Sequence, residues 1–490
     1  MMFRKKELLL LSITTIFCCC AESYPSIEDQ VMPDQRDVNA SSELESNMVP
    51  IRPSLDAPDF YISTRGTGSG PFDSWENDKE KEHWKQARFH VFAYQTSNKY
   101  GGSVDMTINN DAQADEKYGV WSENKCLLYD KIMMIQDSKT MKFVNPDNIE
   151  EERVYYYRIN HPNYKYNFFT YFLDDAAKKY TLNQTPQKIT LGVEIDGSQD
   201  LMHSFAYHTE SYYKDLVEQR INENDKDQMK VLTDKDSYAN LLYSTATGHR
   251  SINPYFKINH LLSKLKIKVR GAKSKDATKK DYKNIIITKI HIESPYKGTL
   301  TVADDAWGKL LKGDEASGLG YVYENEYAAG KLIDWSRKDD EGNVVVDKAW
   351  LTTPVVSNPV SSDSFDEIIH NQIGESLYYH VDSEDEKYLS QESLLLAPCD
   401  EYTLTIEGFF INRSGDDDDS FEGAYIEPWP VAQNIPVHLN DGKPFEPGKE
   451  YTLIIYVYGR QQVGLEVSFG ENWTDGGSID INKEGNEEGE

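Results

Sequence analysis

Apolar and polar residues alternate in short runs along most of this chain. In Leu265-Lys266-Ile267-Lys268-Val269 the apolar side chains share one side of an extended backbone and the lysines share the other, the period of a half-buried β-strand. Ile189-Thr190-Leu191-Gly192-Val193-Glu194-Ile195 repeats the pattern. Phe60-Tyr61-Ile62-Ser63, Phe89 to Tyr94, Val154 to Tyr157 and Tyr166 to Phe172 are rich in aromatic and β-branched residues, as strands are. Ile285 to Ile292 predicts another strand, and Pro295 to Gly298 a turn after it. These runs supply roughly seven strands, enough for one sandwich.

A second series opens near Asp304. Tyr402 to Ile406, Ile435 to Leu439, Tyr451 to Tyr458 and Leu465 to Phe469 alternate clearly, with a Pro447-Gly448 turn ahead of the strongest strand. Helical candidates are few, the best being Ser211 to Asn222 with a weak 3.6 period. The pattern therefore predicts a mainly β chain, two antiparallel sandwiches in tandem, divided after Val302 into residues 58–302 and 303–490.

The first residues follow a different rule. Arg4, Lys5 and Lys6 precede an apolar core, Leu8 to Phe17, of about ten residues, too short to span a bilayer. The core runs into Cys18-Cys19-Cys20, which predicts lipoprotein processing of a signal peptide over residues 1–19, with Cys20 as the lipidated N-terminus and Cys19 as the alternative. Acyl chains, palmitate among them, bind at about 0.8 kcal/mol per buried CH2, so several together anchor a protein durably. Residues 20–57 are polar, acidic and carry Pro25, Pro33, Pro50 and Pro53, which predicts a flexible spacer.

Charge narrows the partners. Against 52 Lys and Arg stand 82 Asp and Glu, a net −30 that repels phosphate backbones and excludes nucleic acid as a natural partner. Beyond the signal only Cys126 and Cys399 remain as unmodified thiols; two buried thiols or one long-range disulfide both fit.

Catalytic patterns are missing from the sequence. It has no His-Glu-x-x-His helix, Gly-x-Ser-x-Gly elbow, phosphate loop or Cys-x-x-Cys pair, so no catalytic residue, metal ligand or cofactor is assigned. His203 and His208 would point to opposite faces of a strand, a poor metal pair. Asp416 to Asp419 are consecutive acids without the spacing of a calcium loop, so they read as a solvated loop. His260 reads as a packed or hydrogen-bonded position, Asp200 as a turn or strand-end acceptor, and Trp473 as an aromatic closing a core.

The order of several motifs resembles a known family. Thr64-Arg65-Gly66, Ala87 to Tyr94, Gly197-Ser198-Gln199-Asp200-Leu201-Met202, His260 to Leu265, Phe445 to Leu453 and Trp473 together are similar to the fimbrillin-like lipoproteins of minor-fimbrillin type, which build or decorate type V pili on Gram-negative outer membranes. The resemblance implies transthyretin-like sandwiches, a lipid anchor in the outer membrane with a surface-exposed body, and no enzymatic activity. It also implies removal of the first strand by an arginine-specific protease, so that a neighbouring fimbrillin-like subunit can add a strand to the vacated groove. Arg65 is the expected site, because only cleavage there takes away Phe60 to Ser63; Arg36 is the alternative, and Pro53 opposes cleavage after Arg52.

The tail departs from a stalk subunit. Beyond Ile479 and Ile481 it ends Lys483-Glu484-Gly485-Asn486-Glu487-Glu488-Gly489-Glu490, too polar to serve as a donor strand. That favours an anchor, tip or accessory role in adhesion. The alternative from a different class is a surface glycan-binding lipoprotein that meets a glycan or host surface through Trp75, Trp84, Trp121 and Trp429.

Overall fold

The structure is a computed structural model. It describes residues 49–55, 87–96, 103–107, 126–136, 140–157, 165–174, 181–206, 248, 253–256, 258–273, 281–307, 309–312, 321–324, 331–358, 378–390, 393–413, 424–429, 433–439, 442–460 and 462–469. Among these residues the elements are strands, apart from the short 3-10 turn Asp281–Asn284. The mainly β sandwich expected from the alternation is what the chain forms.

The first sandwich is built on a seven-stranded antiparallel sheet in the order Asn259–His260, Leu201–Phe205, Tyr166–Leu173, Phe89–Gln95, Cys126–Ile135, Met141–Asn145, Asn148–Arg153. One face, with Phe92, Tyr94, Phe169, Tyr171, Leu201 and Phe205, packs on Ile189, Leu191, Val193, Leu300 and Val302 of a smaller sheet. That sheet runs Ile333–Asp334, Lys297–Asp304, Lys188–Glu194, Leu182–Gln184. The large sheet is covered on its other face too: Phe89, Val91, Phe168, Phe172 and Met202 pack with Ile51, Tyr155, Tyr157 and Phe256. Burial on both faces explains why all eight residues of Tyr166–Leu173 are buried and why aromatic residues fall on both faces of that run rather than alternating with polar ones.

The second sandwich faces Leu265, Ile267, Val269, Tyr451, Leu453, Ile455 and Val457 against Ile285, Ile290, Ile292, Leu351, Tyr402, Leu404 and Ile406. Its first sheet joins Ser263–Gly271 to Glu450–Gly459 in parallel, then to Gln462–Phe469 antiparallel. Its second sheet pairs Ile285–Pro295 with Lys348–Pro354 and Glu401–Asn412.

Sheet pairing runs across the expected division after Val302. The strands Ser263–Gly271 and Ile285–Pro295 precede it, yet pack with residues 351–467. Their non-local partners outweigh chain proximity. The expected turn at Pro295 to Gly298 is instead a straight passage: Pro295 closes one ladder, Tyr296 alone intervenes, and Lys297–Asp304 enters the other sandwich opposite Lys188–Glu194. Gly298 suits a crowded crossing, since a Cβ there would lie 2.7 Å from Ile333 Cγ2.

The spacer reading of residues 20–57 also needs correction at its end, because residues 49–55 pack on the large sheet. The readings for Phe60 to Ser63, Ser211 to Asn222 and Asp416 to Asp419 lie outside the described residues.

Candidate functional site

Residues 49–55 form an extended strip laid over one face of the seven-stranded sheet. Ile51 N–H donates to the Tyr155 carbonyl at 2.8 Å, and Tyr157 N–H donates to the Val49 carbonyl at 3.0 Å. Farther along, Met141 N–H donates to Pro53 O at 3.1 Å and Ser54 N–H to Pro254 O at 2.9 Å. The strip ends as a parallel pairing of Ser54–Leu55 with Tyr255–Phe256.

Two prolines fit because the strip uses the N–H groups of Ile51 and Ser54, which lie between and after them, so neither missing donor is needed. Ile51 and Pro53 are buried while Arg52 between them is exposed. The strip is thus a short strand with apolar teeth at Val49, Ile51 and Pro53, set in the cluster of Phe89, Phe168, Phe172, Tyr155 and Tyr157. Sequence reasoning placed the first strand at Phe60 and missed this one, because Pro50 and Pro53 look like breakers. The available signal was apolar residues at every second position from Val49 to Leu55.

Val154 to Tyr157, expected as a strand, is the part of the sheet margin that receives the strip. Pro50 bridges Tyr156, and the buried Tyr155 and Tyr157 flank it. The bulky aromatic runs of the sequence therefore build the cleft into which residues 49–55 fit.

His260 and Asp200, singled out separately, are brought together. His260 Nδ1 lies 2.8 Å from Asp200 Oδ2, and Asp200 is fully buried. Asp200 Oδ1 has no hydrogen-bond partner among the described residues. Next to this pair, Lys264 Nζ lies 3.2 Å and Lys266 Nζ 2.7 Å from the Glu450 carboxylate. Lys264 and Glu450 are nearly inaccessible. Burial pulls the Lys264 ammonium below its ordinary pKa, opposed by Glu450 and reinforced by Lys266. The two pairs lie either side of the crossing at which residues 260–264 carry the chain from one sandwich into the other.

His203 is a core residue. Its Nε2 reaches across the first sandwich to Val302 O at 2.7 Å, where the ladder of Lys297–Asp304 slips by one residue between Thr301 and Ala303. A bulge leaves its extra residue out of the ladder, and the imidazole N–H satisfies the carbonyl. Burial depresses the His203 pKa to about 4, against the opposing pull of that hydrogen bond.

Of the other readings, Trp429 is buried, its Nε1–H donating to Arg460 O at 3.1 Å. A buried indole offers no sugar platform. Cys126 and Cys399 form no disulfide with each other. Cys19, Cys20, Arg36, Arg65, Trp75, Trp84, Trp121, His208, Trp473 and the acidic tail lie outside the described residues. Among the described residues no group of three or more His, Cys, Asp or Glu is placed to hold a metal.

No family model matches the chain, and no curated protein matches it. Solved structures do. A candidate cell adhesion protein from Bacteroides uniformis is 10% identical, with 88% of this chain and 99% of that chain covered and a TM-score of 0.33. The fimbrial anchor protein Mfa2 from Porphyromonas gingivalis is 8% identical over 86% of this chain and 98% of that chain, TM-score 0.25. A candidate polysaccharide-binding protein from Bacteroides thetaiotaomicron is 8% identical over 88% of this chain and 99% of that chain, TM-score 0.27. None reaches a TM-score of 0.5, and no function is transferred from them.

Proposed function

We propose that the chain is a cell-surface, fimbrillin-like lipoprotein, an anchor, tip or accessory subunit of a pilus with a structural and adhesive role. The observation that carries this reading is the strip of residues 49–55, a peripheral strand that fills an aromatic cleft in an otherwise complete sheet. Lipid on Cys20, or on Cys19, would hold the chain at the outer membrane through the acidic spacer. Arg65 follows the strip in sequence, so cleavage there severs it from the body; cleavage at Arg36 would leave it attached. A vacated cleft with unpaired main-chain groups is a template for a strand from another fimbrillin-like subunit.

The test is mass spectrometry of the native surface protein for its N-terminus and lipid, alongside fibre assembly by an Arg65→Ala variant. The reading expects lipid on Cys20 or Cys19 in the precursor, and an R65A protein that folds and anchors but does not enter fibres. Normal incorporation of R65A would overturn strand exchange at this cleft, and an unlipidated precursor would overturn the anchor.

One observation favours the second reading, glycan capture. Trp350 is exposed on an outer strand, with Glu293 opposite it in the ladder and Lys348 ion-paired to Glu293 at 3.8 Å. An exposed indole beside a carboxylate suits a sugar ring. Binding of neutral glycans that Trp350→Ala abolishes would support it, and binding that survives the change would remove it.

A further inference from the structure

We propose that the cluster of buried Lys264 and Glu450 with partly buried Lys266 sets the register in which the C-terminal hairpin docks into the second sandwich. The strand Glu450–Gly459 pairs in parallel with Ser263–Gly271, Lys264 opposite Glu450 and Leu265 opposite Tyr451. Parallel neighbours are not joined by a tight turn, so no turn geometry fixes their offset.

The apolar face does not fix it either. In the observed register Leu265, Ile267 and Val269 face Tyr451, Leu453 and Ile455. Advancing the hairpin by two residues would set the same three against Leu453, Ile455 and Val457, again apolar on apolar. A two-residue slip also keeps every side chain on its own face. The opposite slip is blocked by other means, because it would bring Lys449 opposite Leu265.

Within the ladder itself the charged residues separate the observed register from the advanced one, and ahead of it Gly448 N–H donating to Leu262 O and Ser263 Oγ–H donating to Glu446 O favour the same register. Advanced by two, Thr452 would face Lys264 and Ile454 would face Lys266, with Glu450 carried beyond both. Two ammonium groups would lose the carboxylate they share, one of them on a residue only 2% exposed. Asp200, whose charge also acts on Lys264, is already engaged with His260. Buried ion pairs are weak sources of stability, and fixing register is their best-attested use.

The inference does not depend on the proposed pilus role. It is tested with spin labels at Lys387→Cys and Ser468→Cys in a Cys399→Ser background. Lys387 sits on a strand fixed to Ser263–Gly271, while Ser468 moves with the hairpin. A slip of two residues displaces the hairpin by about 6.6 Å along the strand, which pulsed dipolar spectroscopy resolves.

The unaltered cluster is expected to give one distance. The apolar variant K264M/K266M/E450M is expected to add a second, shifted population, and the charge-reversed K264E/K266E/E450K to return to one. A single native distance in the apolar variant would overturn the proposal. Should that variant not fold, the charge-reversed one decides: a mixed population there overturns it equally.

Discussion

His203 makes the first sandwich sensitive to acid in a defined pH window. Its imidazole is fully buried, donates to Val302 O and meets the Trp307 ring edge-on, with centroids 5.4 Å apart. Protonation would put a charge in a fully buried site, and that desolvation lowers the folded-state pKa from 6.5 to about 4. Between those values the unfolded chain binds the proton that the folded chain refuses, so stability rises with pH. The contribution is complete above about pH 6.5 and is lost as pH falls toward 4. At about 1.4 kcal/mol per pKa unit, the loss is about 3 kcal/mol. His380, buried and hydrogen-bonded to Lys283 O, is shifted in the same direction and adds to it. Urea unfolding at half-unit steps from pH 7.5 to 4, followed by near-UV circular dichroism, measures the slope. His203→Gln, which keeps a donor but cannot be protonated, should flatten it by up to one proton. A wild-type stability constant within about 1 kcal/mol across the window, or an unchanged slope in H203Q, would refute the reasoning.

Three further outcomes follow from single sites. Glu450→Gln leaves buried Lys264 and partly buried Lys266 without their shared carboxylate, and should cost about 3–5 kcal/mol in unfolding free energy; a change below 1 would mean the lysines find other partners. Gly408→Ala puts a Cβ against Ile286 O and 3.2 Å from Trp429 Cε3, so its urea midpoint should fall by the equivalent of about 2–4 kcal/mol. Burial pushes the Cys399 thiol up to about 11, so at pH 8 a thiol reagent should modify it far more slowly than it does a free cysteine; equal rates would contradict that burial.

Strands were legible from period: Leu265 to Val269 and Tyr451 to Tyr458 lie within observed strands, and Ile189 to Ile195 does so up to Glu194. What the pattern missed has physical causes. Cys126–Ile135 escaped notice because a bulge interrupts its alternation, with Asp130 at a φ of +48° and His90 Nδ1 2.7 Å from its carboxylate. The crossing at Tyr296 looked like a turn because proline and glycine surround it. The affiliation of Ser263–Gly271 was hidden because its main partner lies near the other end of the chain. His260 and Asp200 were each visible as polar residues beside apolar ones, but not as a pair.

The strip of residues 49–55 sits near an energetic balance, and that balance suits exchange. Its gains are burial of Ile51 and Pro53 and part of Val49, about 5 kcal/mol, plus at least four main-chain hydrogen bonds at about 1 kcal/mol each. Against about 9 kcal/mol stands the ordering of seven residues, about 1–1.5 kcal/mol each, with the two prolines at the low end. The terms nearly cancel. While the strip is part of the chain, its covalent link holds it at high local concentration over the cleft. Once severed, it would dissociate and open the face of the cluster of Phe89, Phe168 and Phe172 that Ile51 and Val49 help to close. On the proposed reading, a partner strand with larger apolar side chains at alternate positions, and a donor where Pro50 and Pro53 have none, would bind the same cleft more tightly than the strip it replaces.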